Sequence, residues 1–375
     1  MIPENNSSFL KLAVNLLSLH GNEPVVISPL SICTAMGVLQ AGARGKTQSE
    51  INDALFGGND STRINAYFSS LLPILKEPRV KTAVYVADQC LLKPQYHKTV
   101  SSAYSAAVEK ADFCSDPERE RQRINKFIED ATEGRIREVL QSGQLNQSTS
   151  LVIVNCIYFA AAFTNSFSGS DTGFERFNNE DGSTKMVETM HGKMKFDEDA
   201  GFPRFLSSDH FEYADFCFNC YDPESYRLFL IVPNQKSSLS AVREHLQNDP
   251  EALLSLSQKS VGVDILHVQM PKFKTEFMSD LKPKLGSLGI KAAFGGADFS
   301  GITDGSAKID FIIHKVNFEI DEEGVKAAAA TVMSISCFSG IICEKPPVEA
   351  RIVADRPFLY GVMFKDVPLF VGQYY

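Results

Sequence analysis

Chemistry in a protein needs particular side chains at particular spacings, and this sequence offers few such sets. Cys217 and Cys220 form a CxxC pair, the spacing of a zinc or redox site, but no second pair accompanies them. In the strand-like run FEYADFCFNCY (211–221) the two sulfurs would also point to opposite faces, so no metal is expected there. The remaining cysteines are at 33, 90, 114, 156, 337 and 343. Most cysteines sit singly within apolar stretches, as small hydrophobes do, which suits a reducing compartment. No nucleophile–histidine–acid arrangement stands out, so the reading is not an enzyme and no cofactor is expected.

The informative feature is a segment. It opens DEEGVKAAAATVMSIS (321–336), continues CFSGIICEKPPVEA (337–350) and ends RIVADR (351–356). Roughly thirty residues without a clear secondary-structure signal are uncommon inside a compact domain and are usually functional. After Gly324 the first half holds small and β-branched residues with no proline, and no further glycine until Gly340. As a strand it would place Val325, Ala327, Ala329, Thr331, Met333 and Ile335 on one face. Lys326, Ala328, Ala330, Val332, Ser334 and Ser336 would take the other. Burying the Lys326 ammonium unpaired is expensive, so the first face must meet a core. That face is uncharged and small near Gly324, and could slide between existing strands. An alanine-rich helix remains the alternative, because alanine is the best helix former.

The elements around this segment read as a mixture of helices and strands. The pattern predicts helices over 7–20, over 29–42 between Pro29 and Gly42, and over 121–140. The charge run DPERERQR (116–123) reads as a solvated helix start. SLVIVNCIYFAAAF (150–163) and KIDFIIHKVNFEI (308–320) are long enough to be central strands. The C-terminal run from Pro357 reads as a hairpin turning at Lys365-Asp366. Helices early and strands later suggest an α+β fold. With 375 residues, 44% of them hydrophobic, the chain can bury a large core. A net charge of −9 without a dense Lys/Arg cluster argues against nucleic acid and anionic membranes. No run reaches the ~18 apolar residues of a membrane span, and MIPENNSS lacks the basic start of a signal peptide. If Met1 is the native start, the protein is expected to be cytoplasmic, with export lacking a cleavable signal as the alternative. The sequons at Asn5, Asn6 and Asn146 would matter only on export.

Several motifs, in one order along the whole chain, resemble the serpin family. ISPLSICTAMGVLQAGARG (27–45), NKFIEDATEGRI (125–136), LVIVNCIYF (151–159), MPKF (270–273), LGI (288–290), ADFSGI (297–302), EEGVKAAAAT (322–331) and VADRPFLYGV (353–362) carry the likeness. The resemblance implies one domain over 1–375, of about nine helices and three β-sheets. Its largest sheet has five strands, and a reactive-centre loop spans about 322–356. It also implies a monomer that traps a protease covalently by inserting the cleaved loop into that sheet. By the same likeness the hinge is Glu322, Glu323, Gly324, Val325, Ala327, Ala328, Ala329, Ala330 and Thr331. Ser28, Ser31, Asn155 and His314 form a polar cluster under the parting strands. Phe163 stands where the family usually has tryptophan, and this chain has no tryptophan. An intracellular, ovalbumin-like member fits the missing signal peptide.

Counting from Glu322 by the family's spacing places the reactive bond at Phe338-Ser339, and an aromatic there suits a chymotrypsin-like serine protease. The run from there to Pro357 is longer than usual, which leaves Cys337-Phe338 and the region Cys343–Lys345 as alternatives. Cys337 and Cys343 flank the favoured bond and could close a ring under oxidation. Lys76, Arg79, Lys81, Lys93 and Lys98 are scattered, which argues against heparin. Two other functions stay open: a serpin fold without inhibition (carrier, chaperone or plain substrate), and an inhibitor of a cysteine protease.

Overall fold

The structure, a computed structural model, describes residues 3–375 apart from 77, 221, 223, 224, 250, 305, 306 and 326–345. Nine α-helices are found among the described residues. None of them is long and apolar enough to cross a membrane.

The first helix is Pro3–Ser18 rather than 7–20. Proline suits a first helical turn, so the helix starts ahead of the serines expected to cap it. It ends where the Ser18 hydroxyl turns back onto the Val14 carbonyl at 3.0 Å. The helix Pro29–Gly42 has the expected bounds, because Ser28 caps it: its Oγ accepts the Ser31 N–H at 3.2 Å. The helix expected over 121–140 is instead Pro117–Ala131. Asp116 caps its start, accepting the Arg119 N–H at 3.0 Å. Gly134, with a φ of +77°, closes its end by donating to the Glu129 carbonyl at 2.7 Å. Ile136, Val139 and Leu140 stay buried as irregular chain lying over the sheet.

Five strands make the sheet that matters here. In spatial order they are Ala107–Ala111, Arg79–Ala87, Leu151–Tyr158, Ile309–Ile320 and Phe273–Asp280. The 117–131 helix covers one face, packing Ile124 and Ile128 over Tyr85, Val152, Val154 and Ile313. The run expected to be one strand over 150–163 breaks after Tyr158 and resumes as Ala161–Phe163. That second piece leaves the five-stranded sheet and pairs with Phe211–Asn219. It thereby joins a sheet ordered Val25–Ile27, Val367–Tyr374, Phe358–Phe364, Tyr226–Pro233, Phe211–Asn219. Two of the three expected sheets are therefore continuous through 161–163. The C-terminal hairpin turns at Lys365-Asp366 as expected. Glu349–Val353, Ile265–Pro271, Thr184–Lys195 and Gly173–Asn178 form the remaining four-stranded sheet.

Candidate functional site

The site is a seam between two strands of the five-stranded sheet. Leu151–Tyr158 and Ile309–Ile320 run parallel and pair directly at six positions, from Ile309 with Leu151 to Lys315 with Cys156. At the end nearest Ala161–Phe163 the seam is parted, and Gly324–Val325 lies in the gap. Gly324 pairs with Ala162 and Val325 with Ala161 on one side, while Val325 pairs with Ile320 on the other, all antiparallel.

Only glycine fits at 324. A Cβ there would stand 2.3 Å from the Ala161 carbonyl oxygen and 2.7 Å from the Ala162 Cα, and its φ is +153°. Asp321 sets up the approach: its carboxylate accepts the N–H groups of Glu323 at 3.0 Å and Gly324 at 3.3 Å. The carbonyls of Glu322 and Glu323 then accept the Phe167 and Phe163 N–H groups at 2.8 and 2.7 Å. Burial alone would raise the Glu322 carboxyl, but the Lys272 ammonium at 2.8 Å, together with the Glu322 backbone N–H and the Thr172 hydroxyl, holds the group below its ordinary value. The Val325 side chain is 3% exposed, so the face expected to meet a core does so at its first residue.

Phe163 closes the gap from above. Its ring lies 5.3 Å from those of Phe216 and Phe218 and 5.6 Å from Phe167. Three aromatic neighbours fill the place where an indole would sit, without its N–H donor.

Deeper along the seam, the four polar residues singled out in the sequence come together. Asn155 and His314 face each other across the two strands. The Ser31 hydroxyl donates to Asn155 Oδ1, and Asn155 Nδ2 donates to Thr82 Oγ1 at 2.6 Å. The Ser28 N–H donates to His314 Nε2 at 3.2 Å. Accepting at Nε2 requires a neutral ring with its proton on Nδ1. Burial, and then the charge of Lys284, bring the His314 pKa down to about 3. His314 is thus an uncharged acceptor at neutral pH, tying the helix at Ser28 to one edge of the seam while Ser31 and Asn155 tie it to the other.

Ala327, Ala328, Ala329, Ala330, Thr331, Phe338 and Ser339 lie outside the described residues, as do Cys337 and Cys343. Three participants were not singled out in the sequence: Asp321, Lys272 and Thr82. The spacing Asp-Glu-Glu-Gly carries an Asx-turn signal for the first. Lys272 lies within the MPKF motif, which gave it no role of its own, and Thr82 has no such signal. Cys217, of the CxxC pair, is buried and donates to the Ala200 carbonyl at 2.9 Å. Burial pushes its thiol up to about 11, so it is not a thiolate at neutral pH.

Comparison with known proteins places the chain in a family. The profile of the serpin (serine protease inhibitor) family matches residues 4–375. The chain belongs to the serpin family. It is similar to Iris of Ixodes ricinus, at 31% identity over 359 residues, covering 93% of this chain and 91% of that one. It is similar to human Serpin B8 at 29% identity over 386 residues, covering 99% and 98%. Among solved structures it resembles Serpin48, described as a highly specific serpin of the insect Tenebrio molitor, with a TM-score of 0.82. There the identity is 25%, over 99% of this serpin and 96% of that chain.

Proposed function

We propose that this serpin is a suicide-substrate inhibitor of a chymotrypsin-like serine protease, and that the enzyme attacks the Phe338-Ser339 bond. The observation that carries the reading is the parted seam with Gly324–Val325 already lying in its mouth. If residues beyond Val325 keep its register, Thr331 arrives opposite both Asn155 and His314, which now face each other. Ala327 and Ala329 would follow Val325 on the buried face, where small uncharged groups enter fastest.

The protease serine attacks the Phe338 carbonyl, the Ser339 amine leaves, and an ester joins the two proteins. The freed loop end then enters the seam as a central strand, carrying the enzyme along; serpin loop insertion is an established case of strand addition. A dozen or so new ladder bonds at ~1 kcal/mol each, plus apolar burial, drive this step by on the order of 10 kcal/mol before ordering costs. The intact form is therefore held kinetically, by the six parallel pairs and the polar clasp. Phe338 suits the deep apolar pocket of a chymotrypsin-like enzyme.

The test is to mix the purified protein with chymotrypsin, run denaturing gels and locate the cut by mass spectrometry. A covalent band at the summed mass, with cleavage after Phe338, supports the proposal. Clean cleavage without a band refutes trapping of this protease, and a cut elsewhere refutes the assigned bond.

A further inference from the structure

Away from the seam, one lysine is held by acceptors that carry no charge. Lys284 lies half-buried on the short helix Lys282–Ser287, which follows the strand Phe273–Asp280. Its ammonium donates to Ser279 Oγ and to His20 Nε2, each at 2.7 Å. His20 stands just past the first helix, and its Nδ1 lies 2.8 Å from the Leu16 carbonyl oxygen. A carbonyl oxygen can only accept, so Nδ1 carries the ring proton and Nε2 keeps its lone pair for Lys284. Phe277 makes the floor. The His20 ring meets it edge-on at 5.0 Å, and the ammonium stands 5.2 Å from its centre.

This setting disfavours the charged form of the amine. Burial brings the Lys284 ammonium below the ordinary lysine value, against the opposing charge of Asp280. Among the described residues, no carboxylate forms an ion pair with it. An unprotonated imidazole nitrogen within hydrogen-bond reach is what general-base chemistry requires. A partly desolvated lysine beside it is a nucleophile for electrophilic carbon. An amine set between two rings admits a small, uncharged electrophile more readily than a charged one, which would lose its hydration.

We propose that Lys284 is a carbon dioxide acceptor, forming a carbamate with His20 as its general base. The ammonium first gives one proton to solvent. The Nζ lone pair then attacks the carbon of carbon dioxide, an N–C bond forms, and one C=O electron pair moves onto oxygen. A second Nζ proton passes to His20 Nε2. The product is a carbamate anion beside an imidazolium, so a lone positive charge becomes a neutral pair. His20 Nε2 and the Ser279 hydroxyl, acceptors before the reaction, become donors to the carbamate oxygens. The site also borders the polar clasp. The Phe277 ring lies 6.5 Å from that of His314, and the Lys284 charge is the second cause, after burial, that keeps His314 neutral. Carbamate formation removes that charge. The claim stands independently of the target protease.

The test equilibrates the purified protein with carbon-13-labelled carbon dioxide and bicarbonate near neutral pH, traps carbamates by alkylation with a trialkyloxonium salt, and maps the labelled lysines by mass spectrometry. Lys284 should carry at least tenfold more label than the exposed Lys46 and Lys98. Lys284→Arg, which keeps the charge but not the nucleophile, should remove the matching carbamate signal from the carbon-13 NMR spectrum. His20→Gln can still accept from Lys284 but cannot hold the proton. Losing that charged hydrogen-bond partner should lower Lys284 labelling about tenfold. An unlabelled Lys284 overturns the proposal, and so does labelling no greater than at the exposed lysines, which would mean general amine reactivity. Equal labelling in His20→Gln overturns the role given to His20. Unchanged circular dichroism of the variants keeps a folding defect from standing in for lost reactivity.

Discussion

Replacing Val325 by arginine places a charge where the fold holds an apolar side chain 3% exposed, between Ala161 and Ile320. Two costs add. Burial of the valine, about 1.5–3 kcal/mol, is lost. Keeping a guanidinium in its place costs several kcal/mol more, because no carboxylate pairs with it inside the strand ladder. Arginine therefore stays outside, the two-residue strand at the mouth does not form, and the remaining core folds without it. After cleavage, however, insertion must pass residue 325 first. A barrier raised by ~3 kcal/mol slows that step roughly a hundredfold, while hydrolysis of the ester continues at its own rate. More encounters then end in free enzyme and cut inhibitor. Titrating chymotrypsin with increasing amounts of each protein reads this directly, as inhibitor consumed per enzyme trapped. The Val325→Arg variant should consume an order of magnitude more, or fail to trap, in proportion to the slowed insertion. Val325→Ala, which removes methyl groups worth about 1.5 kcal/mol but adds no charge, should trap within a few-fold of the parent protein. Trapping by Val325→Arg at the parent ratio would refute the insertion argument. Equal failure of both variants would show that packing, not charge, controls entry.

Three further outcomes are expected. The pKa of His314 is about 3 in the fold, lowered by burial and then Lys284, against 6.5 for an ordinary histidine. The unfolded chain binds the extra proton between those values, so stability is complete above about pH 6.5 and declines toward pH 3 by about 1.4 kcal/mol per pH unit. His314→Gln, which keeps an acceptor for Ser28, should flatten that decline in denaturant melts from pH 4 to 7; an undiminished slope would assign the proton to another group. Gly324→Ala pushes a Cβ against the Ala161 carbonyl, so the hinge should leave the seam and the Phe163 and Phe167 amides should exchange faster. Exchange at the parent rate would mean the backbone absorbs the clash. Phe163→Ala, which empties a ring position among Phe167, Phe216 and Phe218, should cost about 3–5 kcal/mol of native stability, and a loss below ~1 kcal/mol would contradict its role in closing the gap.

How far the sequence could be read depended on whether the deciding interaction was local. The 29–42 helix and the turn at Lys365-Asp366 are set by neighbours in the chain, and their bounds were legible. The 117–131 helix ends on the positive φ of Gly134, a stop that the hydrophobic period of Ile124, Ile128 and Ile136 runs straight past. The break after Tyr158 carries no turn residue, because the same apolar run serves two sheets. The clasp was reachable only through family likeness: Ser28, Asn155 and His314 lie more than a hundred residues apart, and no periodicity relates them.

The central claim is that the seam is a strand position waiting for residues beyond Val325. Cutting the loop with a protease that is not trapped, and then heating intact and cut protein side by side, tests it most directly. With an unfolding entropy of ~2.1 cal/mol/K per residue over 375 residues, a drive of on the order of 10 kcal/mol corresponds to a melting temperature raised by roughly 13 °C in the cut form. An unchanged or lower melting temperature after a cut at Phe338-Ser339 would mean that the loop does not enter the sheet, and the account would fail.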